Sequence, residues 1–128
     1  MPKATLSGKF DHKGRDIKVK LGMYTFKEGD SFIVYCPALD LSSYGDTDEQ
    51  AKEAFKGVLV STIKYMLDKN TLKDDLINRG WEIKSMKQKR IKAPSIDTLL
   101  GNNESFRDIL NNKDYSKYNQ EVGIPECF

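Results

Sequence analysis

Residues 45–66 read GDTDEQAKEAFKGVLVSTIKYM, and this stretch marks the point where β-structure gives way to a helix. Thr47 is a favourable N-cap residue, and Gln50, three positions later, completes the sequence pattern of a capping box. Asp48 and Glu49 fall in the first turn, where the helix dipole favours negative charge. The pattern predicts a helix that packs one apolar stripe on a sheet. The residues of that stripe recur every three or four positions: Ala51, Ala54, Phe55, Val58, Leu59, Thr62, Ile63 and Met66.

The segments before this helix show the alternation of β-strands. From Ile17 to Phe26, apolar side chains alternate with lysines and a glycine, which predicts one buried and one solvated face. The segment 27–30 suits a tight turn, and the apolar run Ser31–Cys36 ends at a proline. Two shorter runs, Leu6–Phe10 and Leu41–Tyr44, extend an antiparallel meander. We therefore predict an α+β fold, in which a small antiparallel sheet of three to four strands carries one long helix on one face.

The chain changes character after Lys84. Residues 72–78 fit a short helix and Trp81–Ile83 an edge strand, so residues 1–84 are predicted to form one α+β domain. Residues 85–128 contain two short amphipathic helical segments and a polar tail with scattered apolar residues. We predict that this extension is an oligomerisation arm that packs on a neighbouring subunit. Its anchors would be Tyr115, Tyr118, Val122, Ile124 and Phe128.

Composition narrows the classes of function. The net charge of +2, from 21 basic and 19 acidic residues, gives no general attraction to nucleic acid or to anionic membranes. The two cysteines, Cys36 and Cys127, are too few for a disulfide scaffold or a four-cysteine zinc site. No signal peptide and no apolar run long enough to span a membrane is evident. We expect a cytoplasmic protein without metal or cofactor.

Residues that carry chemistry are sparse. The single histidine, His12, lies in a turn-like segment without an evident partner. The carboxylates Asp40, Asp46, Asp48 and Glu49 are close in sequence, and together they would suit a hard cation. Asp46, Asp48 and Glu49 already have a structural role at the start of the helix, which is the interpretation that we prefer. No phosphate-binding loop or serine-hydrolase elbow occurs. We therefore expect no catalysis.

One stretch is locally basic. Five cationic residues crowd it: Lys84, Lys87, Lys89, Arg90 and Lys92. With Trp81 as a stacking neighbour, these side chains would suit a contact to nucleic acid or to an acidic protein surface. Lysines also occur on edge strands, where they deter unwanted strand pairing. Both readings stay open on the sequence alone.

The segments FIVYCPAL (residues 32–39) and SYGDTDEQA (residues 43–51) resemble the HicB-like antitoxin family. The family pattern is a strand ending in proline-x-leucine, a short strand, then glycine-aspartate-threonine and an acidic, alanine-rich helix. Here Pro37 and Leu39 match the proline-x-leucine, and Gly45-Asp46-Thr47 matches the glycine-aspartate-threonine. The resemblance runs from the strand at Ile17 to about Ile83.

The resemblance implies a truncated RNase H-like core without catalytic acids, self-association, and neutralisation of a small ribonuclease toxin. Members also carry a C-terminal helix-turn-helix or ribbon-helix-helix that binds DNA. This chain departs from the family in two places: Asp40-Leu41-Ser42 replaces the usual proline-glycine-cysteine, and no DNA-binding unit is evident after Lys84. We expect a bacterial antitoxin or a solitary relative that binds a small toxin-like ribonuclease and forms homo-oligomers. The alternative is a nucleic-acid-binding module that uses residues 84–92.

Overall fold

The computed structural model describes residues 16–85, 88 and 90–125. Within them, a four-stranded sheet has the order β3-β2-β1-β6, a second sheet has the two strands β4 and β5, and all pairings are antiparallel. The predicted α+β class with one long helix is confirmed, and an RNase H-like core stays a prediction. The elements are β1 (Asp16–Glu28), β2 (Ser31–Cys36), β3 (Leu41–Gly45), α1 (Asp48–Asp68), α2 (Leu72–Asn78), β4 (Glu82–Ser85), β5 (Arg90–Lys92), α3 (Ile96–Asn102), α4 (Glu104–Asn112) and β6 (Tyr115–Pro125).

Two tight turns set the register of the first three strands. Glu28 pairs with Ser31, so the β1–β2 hairpin has a two-residue loop, and Gly29 takes the positive φ of 61° that this loop requires. The β2–β3 turn ends at Asp40, which also has a positive φ, of 52°. The strand predicted at residues 6–10 lies outside the described residues.

Helix α1 covers one face of the sheet and begins as predicted. The hydroxyl of Thr47 accepts a hydrogen bond from the backbone N–H of Gln50, and the Gln50 side chain accepts one from the N–H of Asp46. Gly45 lies so close to the helix that a Cβ there would stand 2.7 Å from the backbone nitrogen of Ala51. The apolar stripe is narrower than predicted because Ala54 is exposed. Its buried residues are Ala51, Phe55, Leu59, Ile63 and Met66.

The other face of the sheet is also covered, although the sequence pattern predicted a solvated face. Tyr24 and Phe26 point away from α1 and pack beneath α3 and α4 in a second apolar cluster. The ring of Phe106 in α4 meets that of Tyr24 edge-on, with centroids 4.9 Å apart. A strand that is covered on both faces buries both of its side-chain rows, so Phe26 belongs to the second row and not to the first.

Strand β6 places the end of the described chain inside the main sheet. It pairs with β1 from Tyr115 opposite Phe26 to Pro125 opposite Asp16. Val122 and Ile124 are fully buried in the cluster under α1. Residues 115–125 are therefore a strand of this subunit's own sheet, and a role of residues 85–128 in oligomerisation stays a prediction. The pairing joins residues from both sides of the predicted boundary at residue 84 in one sheet.

Within the described residues, no helix combines the length and apolar character needed to cross a bilayer.

Candidate protein-binding groove and basic ribbon

The carboxylates grouped near the start of α1 have structural partners. The carboxylate of Asp48 forms an ion pair with Lys52, at 2.7 Å. Asp40 accepts a hydrogen bond from the phenol of Tyr35, at 2.6 Å. Among the described residues, no group of three or more histidine, cysteine or acidic side chains is placed to hold a metal ion. His12 and Cys127 lie outside those residues. The cluster that the sequence suggested for a hard cation therefore does not converge.

The thiol of Cys36 is fully buried in the core under α1. Burial raises the pKa of this thiol to about 12, because the thiolate would lose its hydration. The side chain is therefore protonated at neutral pH and packs as a small apolar residue.

The basic stretch forms the hairpin β4–β5, which we call the basic ribbon (residues 82–85 and 90–92). Ile83 and Ile91 lie opposite each other and pack against the main core. The three described cationic side chains of the ribbon are all exposed: Lys84, Arg90 and Lys92. The structure thus groups these three on the side away from the core, whereas Lys87 and Lys89 lie outside the described residues.

Trp81 does not serve the basic ribbon as a stacking platform. Its side chain is only 3% exposed, and its indole N–H donates a hydrogen bond to the carbonyl of Ala38, at 2.7 Å. The indole joins the ribbon to the β2–β3 turn, so the predicted stacking role is wrong.

The residues predicted to anchor an arm lie along β6, except Phe128, which is outside the described residues. Val122 and Ile124 are buried within the subunit. Tyr118 is half-buried beside α1, with the ammonium of Lys52 4.8 Å from its ring centroid, and burial raises the pKa of its phenol to about 12. Tyr115 is more exposed and leans on the ring of Tyr24. Contact of these residues with another subunit stays a prediction.

A groove that the sequence did not reveal runs between α4 and the β2–β3 edge of the sheet; we call it the α4 groove. Its cavity volume is about 480 Å³. Its floor is apolar and aromatic, from Phe26, Ile33 and Tyr35, and Ile109 of α4 forms part of its wall. The remaining lining residues are polar or charged: Glu28, Ser42, Glu104, Ser105, Asp108 and Lys113. An apolar floor with a charged rim is typical of a site for another protein segment.

The rim of the α4 groove is predominantly acidic. Glu104 and Asp108 are exposed and stand four residues apart, so they share one face of α4. Like charges at this spacing destabilise a helix by about 0.2–0.5 kcal/mol. The one basic lining residue, Lys113, has its ammonium 3.7 Å from the carboxylate of Glu28. Among the described residues, neither acid on α4 has a cationic partner, although Asp108 accepts a hydrogen bond from the side-chain amide of Asn112, at 2.7 Å.

A smaller cleft, with a volume of about 320 Å³, adjoins the groove and shares Glu104 and Ser105 with it. Asp40 also lines this cleft, which therefore holds two carboxylates, those of Asp40 and Glu104. The guanidinium of Arg79 also lines this cleft, but its Nε and one terminal nitrogen donate to the carbonyls of Leu39 and Asp75. The acidic character of the rim thus continues along the end of α4.

A hydrogen-bonded chain fixes the position of α4 over the sheet. The side-chain amide of Asn103 donates to the phenol oxygen of Tyr35, at 2.7 Å, and its carbonyl caps α4 by accepting from the N–H of Phe106, at 2.9 Å. Tyr35 in turn donates to Asp40. Burial, reinforced by this carboxylate, raises the pKa of Tyr35 well above its usual value. The phenol therefore keeps its proton and the chain stays intact over the physiological range.

Strand β3 borders the groove and, among the described strands, lies at one end of the main sheet. Its sequence, LSSYG, contains no charged residue and no proline, although such residues deter strand pairing at natural edges. Tyr44 is 75% exposed and lies opposite Ile33, a floor residue of the groove. The edge and the groove together form one accessible surface. Comparisons of the chain with protein-family models, with curated proteins and with solved structures found no match.

Proposed function

We propose that this chain is a non-catalytic binding protein that neutralises a small, basic ribonuclease toxin, in the manner of the HicB-like antitoxins that its sequence resembles. The observation that carries the proposal is the α4 groove, with an apolar floor and a rim on which Glu104 and Asp108 have no cationic partner among the described ion pairs. A ribonuclease binds a polyanion and must itself present a cationic surface. The charges of the two surfaces are complementary.

The geometry supports binding rather than chemistry. The groove presents Tyr35, whose phenol is engaged with Asp40, and carboxylates on a helix that is held in place by Asn103. Because these side chains are already held in place, less conformational entropy is lost when a partner binds. Tyr44 at the border adds an exposed aromatic ring, the type of residue that is enriched among the energetically dominant residues of interfaces.

Self-association is a further part of the proposal, as the resemblance implies homo-oligomers. Val122 and Ile124 are buried within the subunit, so an interface between two copies of the chain would use other residues. Sedimentation equilibrium gives the mass directly, and a monomer at every protein concentration tested would contradict this part of the proposal.

The experiment uses the small protein encoded in the reading frame next to this chain's gene as the probe. Expressed alone, it should degrade RNA and arrest growth, and co-expression of this chain should restore growth. The variant Glu104→Lys with Asp108→Lys reverses the charge of the rim and should fail to restore growth. It should also lose most of the affinity in a titration of the two purified proteins.

A matched control exists in α1. Glu49 and Glu53 are exposed, are also four residues apart and also begin in the first turn of a helix. The variant Glu49→Lys with Glu53→Lys should restore growth as the wild type does. Circular dichroism should show that both variants are folded. A neighbouring protein without ribonuclease activity, or equal rescue by both variants, would contradict the proposal.

A further inference from the structure

The outer side of the basic ribbon is a second surface, independent of the α4 groove. Lys84, Arg90 and Lys92 are exposed there, and a shallow depression of about 380 Å³ lies among them. None of the three forms an ion pair with another residue in the part of the chain that the structure describes. Ile83 and Ile91 hold the opposite side of the ribbon against the core. The cations are thus presented by an anchored platform and not by a loose tail.

We propose that the basic ribbon binds the phosphodiester backbone of a nucleic-acid duplex. Neighbouring strands lie about 4.8 Å apart, so a two-stranded ribbon is narrow enough to enter a B-DNA major groove about 12 Å wide. The alternation along β4 and β5 puts the three cationic side chains on its solvent side. Long side chains in that position reach the phosphates on either side of a groove.

The ribbon selects a duplex over a single strand. Proteins that bind single strands use exposed aromatic side chains on which the bases stack. The outer residues of the described ribbon are Glu82, Lys84, Arg90 and Lys92, none of which is aromatic, and Trp81 is buried against the carbonyl of Ala38. Charge without stacking favours contact with the backbone and gives little sequence preference.

The number of cations fixes the expected dependence on salt. Each neutralised phosphate of B-DNA adds about −0.9 to the slope of log K against log salt concentration, so three contacts contribute about −2.7. Replacing Lys84, Arg90 and Lys92 by alanine should therefore reduce the magnitude of the slope by about 2.7. A role of these residues in deterring strand pairing would leave the slope unchanged.

The test is fluorescence anisotropy with the full chain at 50 mM salt and above, against three probes about 20 nucleotides long: duplex DNA, duplex RNA and single-stranded DNA. Binding to both duplexes would show that the ribbon contacts the phosphate backbone irrespective of the sugar. Binding to only one of them would show whether the ligand is DNA or RNA. The triple alanine variant should bind the duplex at least about tenfold more weakly.

The matched control removes three exposed lysines elsewhere, Lys56, Lys64 and Lys73, and so changes the net charge equally. It should lose much less affinity than the ribbon variant. Equal losses in the two variants, absence of duplex binding by the wild type at 50 mM salt (about the condition where such binding is strong), or tighter binding of the single strand would overturn the proposal. The toxin-binding experiment is unaffected by any of these results, because its residues lie on α4.

Discussion

Ile124 offers a decisive test of whether β6 belongs to this subunit's own sheet. Its side chain is 0% exposed, it lies opposite Ile17 of β1, and both belong to the apolar cluster under α1. The substitution Ile124→Ala removes the buried side chain beyond its Cβ and leaves a cavity between β6 and α1. The surrounding strands cannot close this cavity because β6 is paired with β1 over its whole length.

Truncation of a buried isoleucine to alanine costs about 2–5 kcal/mol, and the full burial of Ile124 places it in the middle of that range, at about 3 kcal/mol. Domains of this size have a free energy of unfolding of about 5–15 kcal/mol, so the variant loses a large part of the total. With a urea dependence of about 2 kcal/mol per molar, the unfolding midpoint should fall by about 1.5 M.

The assay is urea denaturation followed by far-UV circular dichroism at two protein concentrations about a hundredfold apart. The control is Asn119→Ala, an exposed position in the same strand, which should shift the midpoint by less than about 0.3 M. If β6 instead packed on a neighbouring subunit, the difference between the midpoints of the wild type and Ile124→Ala would change with protein concentration, whereas a strand of the subunit's own sheet gives the same difference at both concentrations. A shift of Ile124→Ala no larger than that of the control would refute the reasoning.

Substitutions at three further positions have defined outcomes. Thr47→Ala removes the N-cap of α1 and should cost about 1 kcal/mol in urea unfolding, whereas Thr47→Ser should cost little. Tyr35→Phe breaks the chain between Asn103 and Asp40 and should cost about 1–2 kcal/mol with weaker toxin binding; unchanged binding in the toxin titration would show that α4 needs no such anchor. Burial raises the pKa of Cys36 to about 12, so its contribution to stability is complete below the unfolded pKa of about 8.5 and is lost as pH rises toward 12. The urea midpoint should therefore fall less between pH 8 and about 10.5 in Cys36→Val than in the wild type, and equal falls would contradict the sign of this effect.

Local signals predicted most of the N-terminal part of the fold. The cap at Thr47 and the turn at Gly29 are chemical requirements of a helix start and of a two-residue hairpin, and each is written within a few residues of sequence. The run Ser31–Cys36 and the short helix at residues 72–78 have the predicted bounds. In these places the residues that stabilise the element are the same residues that make its sequence pattern recognisable.

The role of residues 115–125 was not recoverable in the same way. Alternate residues of β6 face the core, but this row includes Gln120 as well as Val122 and Ile124, and the strand begins with polar residues. Nothing local to this segment specifies β1 as its partner, about ninety residues earlier. The alternation in β1 predicts a long strand, but only its residues Tyr24–Glu28 pair with β2. The rest of β1 therefore needs another partner strand. The difference in length between β1 and β2 was the one indication in the sequence that a further strand pairs with β1.

The α4 groove was missed for a related reason. Its floor comes from β1 and β2, and its rim comes from residues 104–113, so it exists only once α4 covers the second face of the sheet. The spacing of Phe106 and Ile109 predicted a short amphipathic helix. It did not show that Glu104 and Asp108 on that helix would lie along the edge of the sheet.

The two proposed binding surfaces use residues that the core does not need. The acids of the α4 groove and the cations of the ribbon are exposed, while the elements that carry them are held by Phe106 and Ile109 on one side and by Ile83 and Ile91 on the other. Substitution of an exposed charge changes stability by about 0.5 kcal/mol or less. Charge variants at either surface can therefore abolish binding in a folded protein. Because the anchors belong to two different apolar clusters, loss of function at one surface should leave the other intact.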